Sequence, residues 1–328
     1  MKRLTCIYIV LTALLLALFV LNVCGGSEWY SPWQVWQSIM GADDVISRLI
    51  VSLRLPKAVT AVLVGLSLSV SGVLLQTLFR NPLAGPYILG INSGASLGVA
   101  LLTMLMVSPV LMSSILSIGV PLAALIGAFV VTLLMLSVSR RVKSSVSLLI
   151  VGMMVGAVAG ALVNLIQNFA NPDSLKMFIV WTFGSLSGTD WQEIMIILSV
   201  IVVAMFVVLF LVKPLNGLLL GESYARALGI NIERVRAYIV VATSLLTGIV
   251  TAYCGPIAFI GVAVPHIARG ILCTTDHRQV IPVSILLGAD LLLACDIVCN
   301  IFTYPLPIST VSALVGAPII IAIIFRSR

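Results

Sequence analysis

Charged residues are scarce in this 328-residue chain. Asp, Glu, Lys and Arg make up 9% of it, against about 25% in an ordinary soluble domain. Hydrophobic residues account for 61%. A membrane-spanning helix needs roughly 20 apolar residues, so there is room for at most about ten spans. This composition excludes a soluble enzyme, a disordered tail and a nucleic-acid-binding protein. It predicts an all-α, polytopic protein with one integral membrane domain over residues 1–328.

The chain also lacks motifs for nucleotide hydrolysis and metal binding. None of its five lysines stands in a G-x-x-x-x-G-K-[ST] pattern, the loop that holds ATP phosphates. Its six cysteines form no C-x-x-C pair, and no His or Cys cluster joins Cys295 and Cys299, so apolar filling is the expected role of the cysteines. No nucleophile, histidine and acid form an evident set. We predict a chain that is not an enzyme and has neither a metal site nor a cofactor of its own.

Long apolar runs define the predicted spans. They occur at 4–23, 57–78, 87–107, 115–138, 146–168, 192–212, 235–257, 279–299 and 308–325. A shorter run at 258–272 contains Pro265, which favours a short or broken helix, and counting it gives ten spans. A signal peptide is the alternative for the first run. That run is long for this purpose and no A-x-A cleavage site follows, so we interpret it as a retained span.

The distribution of basic residues predicts the orientation. With the N-terminus inside, 14 of the 18 Lys and Arg residues fall on the inner side, as the positive-inside rule expects of the cytoplasmic face. Both termini are then cytoplasmic. Arg54 and Lys57 oppose this bias, because they open the second span on the outer side. They either snorkel to lipid headgroups or dock an acidic external partner.

The largest internal segment is the polar stretch 213–234. Within it, residues 221–229 (GESYARALG) predict a short helix with an i,i+4 pair of Glu222 and Arg226. Gly229 suits the end of that helix. The segment is either a solvated loop helix or a lever that fits into a cytoplasmic partner.

Two acids fall inside the predicted span 279–299. Asp290 and Asp296 are six residues apart, about 240° around a helix, so they do not share a face. An acid within the membrane is a functional candidate by default, and a proton relay here would make the chain an ion-coupled secondary transporter. A passive channel has less support, since neither a ring of charges nor a filter motif is present.

Many short segments together resemble the FecCD family, the BtuC-like permease subunits of ABC importers for iron-siderophores, haem and vitamin B12. The order and spacing of these segments make the resemblance specific, and it covers nearly the whole chain. The segments are 54–57 (RLPK), Gly65, Gly72, Gln76, 80–86 (RNPLAGP), 89–91 (LGI), Gly94-Ala95, Trp181, 184–186 (GSL), 221–229 (GESYARALG), 255–261 (GPIAFIG), 265–269 (PHIAR), 276–278 (DHR), Asp296 and 316–318 (GAP).

The resemblance implies a type II ABC importer permease with ten helices in the bacterial inner membrane, and it implies the partners. These are a dimer of ATPase subunits that bind ATP and Mg²⁺, a periplasmic or lipid-anchored substrate-binding protein, a second permease copy forming a homodimer, and membrane lipid. It also implies site residues. The ATPase-coupling residues would be Leu215, Asn216, Gly221, Glu222, Ala225, Arg226, Leu228 and Gly229, the docking residues Arg54 and Lys57, and the gate residues Asn81, Leu83, Ser144 and Ser145.

The chain departs from the family pattern near its end. Asn300 stands where family members commonly carry Arg, Pro305 replaces a usual Glu, and Ser309 replaces a frequent Gly. These departures predict a different pattern of charges for docking on the outer side. We expect a permease subunit of an ATP-driven importer of a metal chelate, whether iron-siderophore, haem or cobalamin. The alternative is an ion-coupled secondary transporter that uses Asp290 or Asp296.

Overall fold

The structure is a computed structural model that describes residues 2–26, 28–41, 44–106, 112–142, 144–301 and 306–326. These ranges contain helices and no β-strand. In chain order the α-helices are α1 (Lys2–Cys24), α2 (Pro32–Ile39), α3 (Val45–Leu49), α4 (Leu55–Phe79), α5 (Ile91–Ala100), α6 (Met112–Arg141), α7 (Ser145–Gln167), α8 (Pro172–Thr182), α9 (Trp191–Leu219), α10 (Glu222–Ala227), α11 (Ile232–Cys254), α12 (Ile260–Leu272), α13 (His277–Cys299) and α14 (Ile308–Arg326). A π-helical turn at Ile50–Arg54 leads into α4, a second at Leu101–Met106 continues α5, and a 3-10 turn at Pro86–Leu89 precedes α5.

The apolar helices account for the predicted spans. Within the described ranges, seven helical segments are long and apolar enough to cross a membrane: Arg3–Cys24, Val45–Phe79, Gly119–Arg141, Ser145–Gln167, Trp191–Leu219, Ile232–Cys254 and His277–Cys299. Three shorter apolar helices cover Ile91–Met104, Ile260–Leu272 and Ile308–Ile321. The predicted all-helical, polytopic fold is confirmed. The run at 258–272 contains the short helix that its length indicated, α12.

Helix α9 runs further than its hydropathy predicted. The apolar run ends near residue 212, but α9 continues through Pro214 to Leu219. Leu215 and Leu218 are buried, so the last turns of α9 keep an apolar anchor after the continuous apolar run has ended. Part of the predicted polar segment is therefore the end of a long helix, and α10 follows it.

The chain divides into two compact units. The first comprises Met1–Val70, Gly184–Ser199 and Ile257–Arg328. In it, α13 packs against α1, α12 and α14. It also approaches α4 so closely at Gly65 and Gly288 that a Cβ atom on either glycine would collide with the backbone of the other. Ser69 supports the same contact by donating a hydrogen bond to the carbonyl of Ser284 at 2.8 Å. Small residues allow this close packing of helices.

The second unit comprises Ser71–Phe183 and Val200–Pro256. Its core is built by α5, α6, α7 and α11. Gly94 of α5 and Gly127 of α6 face each other's backbone, which is again an approach that only small residues permit. Gly90, with a φ of 74°, connects the 3-10 turn to α5 and lies against Gly152 and Gly156 of α7.

Candidate functional site

A short helix between two long ones forms the first candidate site, which lies in the second unit. Gly221 has a φ of 119° and precedes α10, and Gly229 has a φ of 81° and follows it. Both values lie in a region that favours glycine, so these two glycines allow the chain to turn into α10 and out again. Ala225 is fully buried, whereas Tyr224 and Leu228 are 52% and 58% exposed. The helix thus has one buried side and one side that presents a large aromatic and a large aliphatic residue.

The carboxylate of Glu222 is bound to neighbouring helices. Nη2 of Arg236 in α11 donates to Oε1 at 2.9 Å and to Oε2 at 2.8 Å. Oγ of Ser145, the first residue of α7, donates to Oε1 at 2.6 Å. Nη1 of Arg236 also donates to the carbonyl of Val142 at 3.1 Å, and Arg236 is fully buried. We call Glu222, Arg236, Ser145 and the Val142 carbonyl the latch.

The latch favours the charged form of Glu222. Desolvation by itself would raise the pKa of this carboxyl group, but the hydrogen bonds from Ser145 and Arg236, together with the positive charge of Arg236, outweigh it and lower the pKa below its ordinary value. The charge of Arg226 adds a smaller effect in the same direction. Arg236, rather than the predicted Arg226, therefore makes the ion pair with Glu222.

The residues predicted to form the gate lie at two places in this unit. Ser144 is the N-cap of α7, and its Oγ accepts a hydrogen bond from the backbone N–H of Ser147. Asn81 and Leu83 lie in the turn after α4, where Oδ1 of Asn81 accepts from the backbone N–H of Leu83 at 2.9 Å and Leu83 is 48% exposed. Of the four predicted gate residues, Ser145 belongs to the latch, whereas Asn81 and Leu83 are hydrogen-bonded to each other in the turn after α4.

A cavity of about 770 Å³ lies beside the latch. Its wall includes Ser144, Ser145, Glu222 and Tyr224, together with Arg80. Arg80 donates from Nη2 to the carbonyl of Leu218 at 3.0 Å near the end of α9. The loop that carries two predicted gate residues is thus tied to the segment that leads into α10. Of the remaining predicted coupling residues, Leu215 is buried in α9, and Asn216 follows it.

A second polar cluster lies in the first unit around the buried carboxylate of Asp296. Nζ of Lys57 is 3.0 Å from Oδ1, and Nδ2 of Asn22 donates to Oδ2 at 2.8 Å. Asn300 completes the cluster, since its Oδ1 accepts from Lys57 at 3.0 Å and its Nδ2 donates to Oδ2 of Asp296 at 3.3 Å. We call these four residues the Asp296 cluster. Asn300, one of the three departures from the family pattern, here satisfies both members of an ion pair.

Arg54 lies close to the Asp296 cluster. It ends the π-helical turn before α4, and its Nη1 donates to the carbonyls of Val23 and Cys24 at 3.2 and 2.9 Å. Its Nη2 donates to the carbonyl of Glu28 at 2.7 Å, and the guanidinium lies 4.3 Å from the ring centre of Tyr30. Arg54 and Lys57 both line a cavity of about 530 Å³. The two basic residues that oppose the positive-inside rule therefore share one site.

Two predicted features remain. Asp290 is buried in α13, and neither of its carboxyl oxygens has a hydrogen-bond partner among the described residues. Pro305, which replaces a Glu that is usual in the family, lies outside the described residues. No three His, Cys, Asp or Glu residues in the described ranges are grouped so that they could hold a metal ion.

In the described ranges, ten apolar helices and a short, partly exposed helix between two of them define the class as a polytopic membrane protein. Within that class, the chain belongs to the FecCD transport family, whose model matches residues 14–326. It is a transport permease subunit of an ABC importer and not an enzyme, and ATP hydrolysis is the task of a separate subunit.

Relatives match over almost the whole length. The vitamin B12 import system permease protein BtuC of Klebsiella pneumoniae is 36% identical, with 97% of this chain and 93% of the relative covered. The protein of the same name from Escherichia coli O9:H4 is 34% identical, with 97% and 94% covered. The identity is spread over the full permease rather than over one motif.

Solved structures agree with this family. A structure assigned to the metal-chelate type of ABC transporter, in an inward-facing conformation, superposes with a TM-score of 0.86 at 27% identity and covers 98% of this chain and 99% of the other. PsaBC from Streptococcus pneumoniae, solved with a Fab, gives a TM-score of 0.55 at 16% identity, with 89% and 95% covered. This second match shows similarity of fold alone.

Proposed function

We propose that this chain is the membrane-spanning permease subunit of an ABC importer that carries a metal chelate across the bacterial inner membrane. The candidate chelates are cobalamin, an iron-siderophore and haem. The curated relatives are vitamin B12 permeases, and the similar solved structure is of the metal-chelate type. The observation that carries the proposal is the geometry of α10, a short helix with one side fixed by the latch and another side open to a partner.

In this proposal α10 fits into the ATPase subunit. Tyr224 and Leu228 provide exposed apolar contact area, and Arg226 provides an exposed positive charge beside them. Leu215 and Ala225 are buried and support the segment from behind, while Gly221 and Gly229 allow its turns. The partner ATPase dimer binds ATP and Mg²⁺, and this chain holds no cofactor of its own. Asn216 is also proposed to take part in the contact with the ATPase.

The docking of the substrate-binding protein is proposed at Arg54 and Lys57. Both line the same cavity, but their charges are not equally available. Lys57 is neutralised by the buried Asp296, whereas Arg54 is held by backbone carbonyls and an aromatic ring, and the Glu28 carboxylate that acts on its charge is exposed. Arg54 therefore supplies most of the positive field that would attract an acidic residue of a periplasmic or lipid-anchored binding protein.

The transport pathway is proposed to form between two copies of this chain, with membrane lipid around them. Asn81, Leu83, Ser144 and Ser145 would form its cytoplasmic gate. With both termini in the cytoplasm, α10 and these four residues lie on the inner side, and Arg54 and Lys57 lie on the outer side. This arrangement gives the ATPase and the binding protein opposite faces of the permease, as an importer requires.

Reconstitution in vesicles tests the proposed function. The purified permease, its co-purifying ATPase and the binding protein would be assayed in parallel with labelled cobalamin, a ferric siderophore and haem. We expect uptake of one chelate class that needs ATP and the binding protein, and an ATPase to permease ratio near 1:1. Failure of an ATPase to co-purify, even after crosslinking, together with uptake that ignores ATP, would overturn the proposal.

The alternative is an ion-coupled secondary transporter, and the carboxyl group of Asp290, which has no hydrogen-bond partner among the described residues, favours it. A buried acid without a hydrogen-bond partner is costly to keep in a protein, and such acids within membrane spans are often functional. This alternative predicts uptake in ATP-free vesicles driven by a proton or sodium gradient. Loss of that uptake in Asp290→Asn would support it.

A further inference from the structure

We propose that Arg236 is a positioning residue that passes the movement of α10 to the start of α7. The inference rests on the proposed function, because it assumes that an ATPase moves α10. Arg236 contacts no transported molecule and no nucleotide in this scheme. Its task is to hold the coupling helix and the predicted gate residues Ser144 and Ser145 in one mechanical unit.

The geometry of the guanidinium supports this role. One amino group of Arg236, Nη2, binds both carboxylate oxygens of Glu222, and the other, Nη1, binds the carbonyl of Val142. Glu222 belongs to α10, and Val142 lies in the connection between α6 and α7. Arg236 therefore joins these two elements directly. A lysine carries the same charge on a single nitrogen without the planar fork, so it cannot reproduce both contacts with the same geometry.

Ser145 closes the connection from the other side. Its Oγ donates to the same Glu222 oxygen that accepts from Arg236. Glu222 thus receives two donors, one from the first turn of α7 and one from α11. If α10 moves, Glu222 moves with it. Ser145 must then follow, or the hydrogen bond of 2.6 Å between the two side chains must break.

The surroundings explain why polar contacts must carry the movement. The cavity of about 770 Å³ borders Ser144, Ser145, Glu222 and Tyr224, so close apolar packing does not fill the space between α10 and the start of α7. Van der Waals contact passes a displacement only where atoms touch. Across this cavity, the hydrogen bonds of Glu222 link α10 to Ser145 at the start of α7 and to Arg236.

The burial of Arg236 favours its staying bound to Glu222. A fully buried charge that loses its partner is left without compensation, so the pair resists separation while α10 moves. Glu222→Gln leaves this buried charge without its partner, so it should lower the unfolding midpoint as well. The transmission of movement is therefore measured separately, as uptake per ATP in the complexes that assemble.

The test uses the complete importer in vesicles, with the wild type, Arg236→Lys and Glu222→Gln, and with Arg234→Lys as a matched control. Arg234 is exposed on the same helix, two residues from Arg236. Three quantities would be measured: the ratio of ATPase to permease after purification, the rate of ATP hydrolysis, and the uptake of chelate per ATP hydrolysed. The unfolding midpoint of each permease would be recorded alongside.

We expect Arg236→Lys and Glu222→Gln to assemble and to hydrolyse ATP, but to lower the uptake per ATP by roughly tenfold, within the range of typical coupling between sites. Arg234→Lys should behave as the wild type. A purely structural role would lower assembly and the unfolding midpoint while leaving the uptake per ATP of the surviving complexes unchanged, and this result would overturn the proposal.

Ser145→Ala provides a second variant in case Arg236→Lys does not fold. It removes one hydrogen bond and no charge, so the fold should survive, and the uptake per ATP should fall by a smaller factor. An unchanged ratio in Ser145→Ala would overturn the proposal when Arg236→Lys cannot be purified. If the wild type shows no ATP-dependent uptake, the proposed function fails and the coupling role fails with it. A working wild type beside an unaffected Arg236→Lys overturns the role of Arg236 alone.

Discussion

Nζ of Lys57 lies 3.0 Å from Oδ1 of Asp296, and the lysine and aspartate side chains are 17% and 4% exposed. The pair joins the first turn of α4 to the last turn of α13. Two asparagines satisfy the rest of the carboxylate. Because Asp296 has three donors and almost no contact with solvent, it acts as a structural anchor, and it reduces the positive charge that Lys57 can offer to a docking partner.

Replacing Asp296 by Asn should destabilise the permease. The change keeps the shape of the side chain but leaves Lys57 without its counter-charge in a partly buried place. Breaking a buried ion pair in this way costs about 3 kcal/mol or more, and the partial exposure of Lys57 favours a value of about 2–3 kcal/mol. Thermal unfolding of the purified permease in detergent measures it. Asp173→Asn, at an exposed position in α8, is the control, and equal shifts in both variants would contradict the structural role.

Arg54→Gln should weaken the complex with the substrate-binding protein more than Lys57→Gln does. The charge of Arg54 is offset by the exposed Glu28 carboxylate, whereas the buried Asp296 already neutralises Lys57 in a direct ion pair. We expect a loss of about tenfold in affinity for Arg54→Gln at low salt, and a smaller loss at high salt, because exposed charges are screened. Dissociation constants at two salt concentrations measure this. Lys176→Gln, an exposed basic residue of α8, should bind as the wild type, and a larger effect of Lys57→Gln would reverse the assignment.

The pH dependence of stability should report the latch. Desolvation is outweighed by the hydrogen bonds from Ser145 and Arg236 and by the charge of Arg236, which hold the pKa of Glu222 in the folded protein below the ordinary value of 4.5. The charged carboxylate therefore contributes stability that is fully present above pH 4.5 and is lost as the pH falls through the folded pKa. The difference in unfolding midpoint between wild type and Glu222→Gln should be constant from pH 5 to 7 and should shrink below about pH 4.5. A difference that grows on acidification would show that folding does not lower the pKa of Glu222.

The long helices were predictable from the sequence because a bilayer demands about 20 apolar residues for each span. This requirement acts on the chain locally and leaves a clear hydropathy pattern. The end of α9 was not predictable in this way. Beyond residue 212 the helix is held by single buried leucines such as Leu215, and these contacts depend on neighbours that are distant in sequence.

The partner of Glu222 was missed for a related reason. The i,i+4 rule considers neighbours on one helix, and it favoured Arg226. The chain turns after α10, and this turn brings Arg236 of the next helix to the carboxylate. The position of Arg236 in the sequence indicated that it needs a partner. Arg236 occupies the stripe of α11 that also contains Ile232, Val235, Ile239 and Val240, which are all buried, and a charge on such a stripe requires a partner.

The contact between α4 and α13 should not tolerate a larger residue. A Cβ atom on Gly288 would lie within collision distance of the carbonyl of Gly65 and of Ser69. We expect Gly288→Ala to cost about 1–3 kcal/mol, the usual penalty of overpacking. Gly160→Ala in α7 is the matched control, because no described atom beyond the neighbouring helix backbone lies within 4 Å of its new methyl group. It should be neutral or slightly stabilising, as alanine favours helices over glycine. Unfolding midpoints of the two variants would decide, and a tolerated Gly288→Ala would contradict the close approach of the two helices.

Asp290→Asn separates the proposed importer from the ion-coupled alternative. The carboxyl group of Asp290 is buried without a hydrogen-bond partner among the described residues, so removing an ionisable group from this position should keep or raise the unfolding midpoint. In an ATP-driven importer the uptake of chelate should remain at the wild-type rate, and a protonophore should not affect it. Uptake would be measured in vesicles with ATP and without an ion gradient, and again with a gradient and without ATP. Loss of uptake in Asp290→Asn, together with sensitivity to the protonophore, would instead identify Asp290 as a coupling site and would remove the need for an ATPase partner.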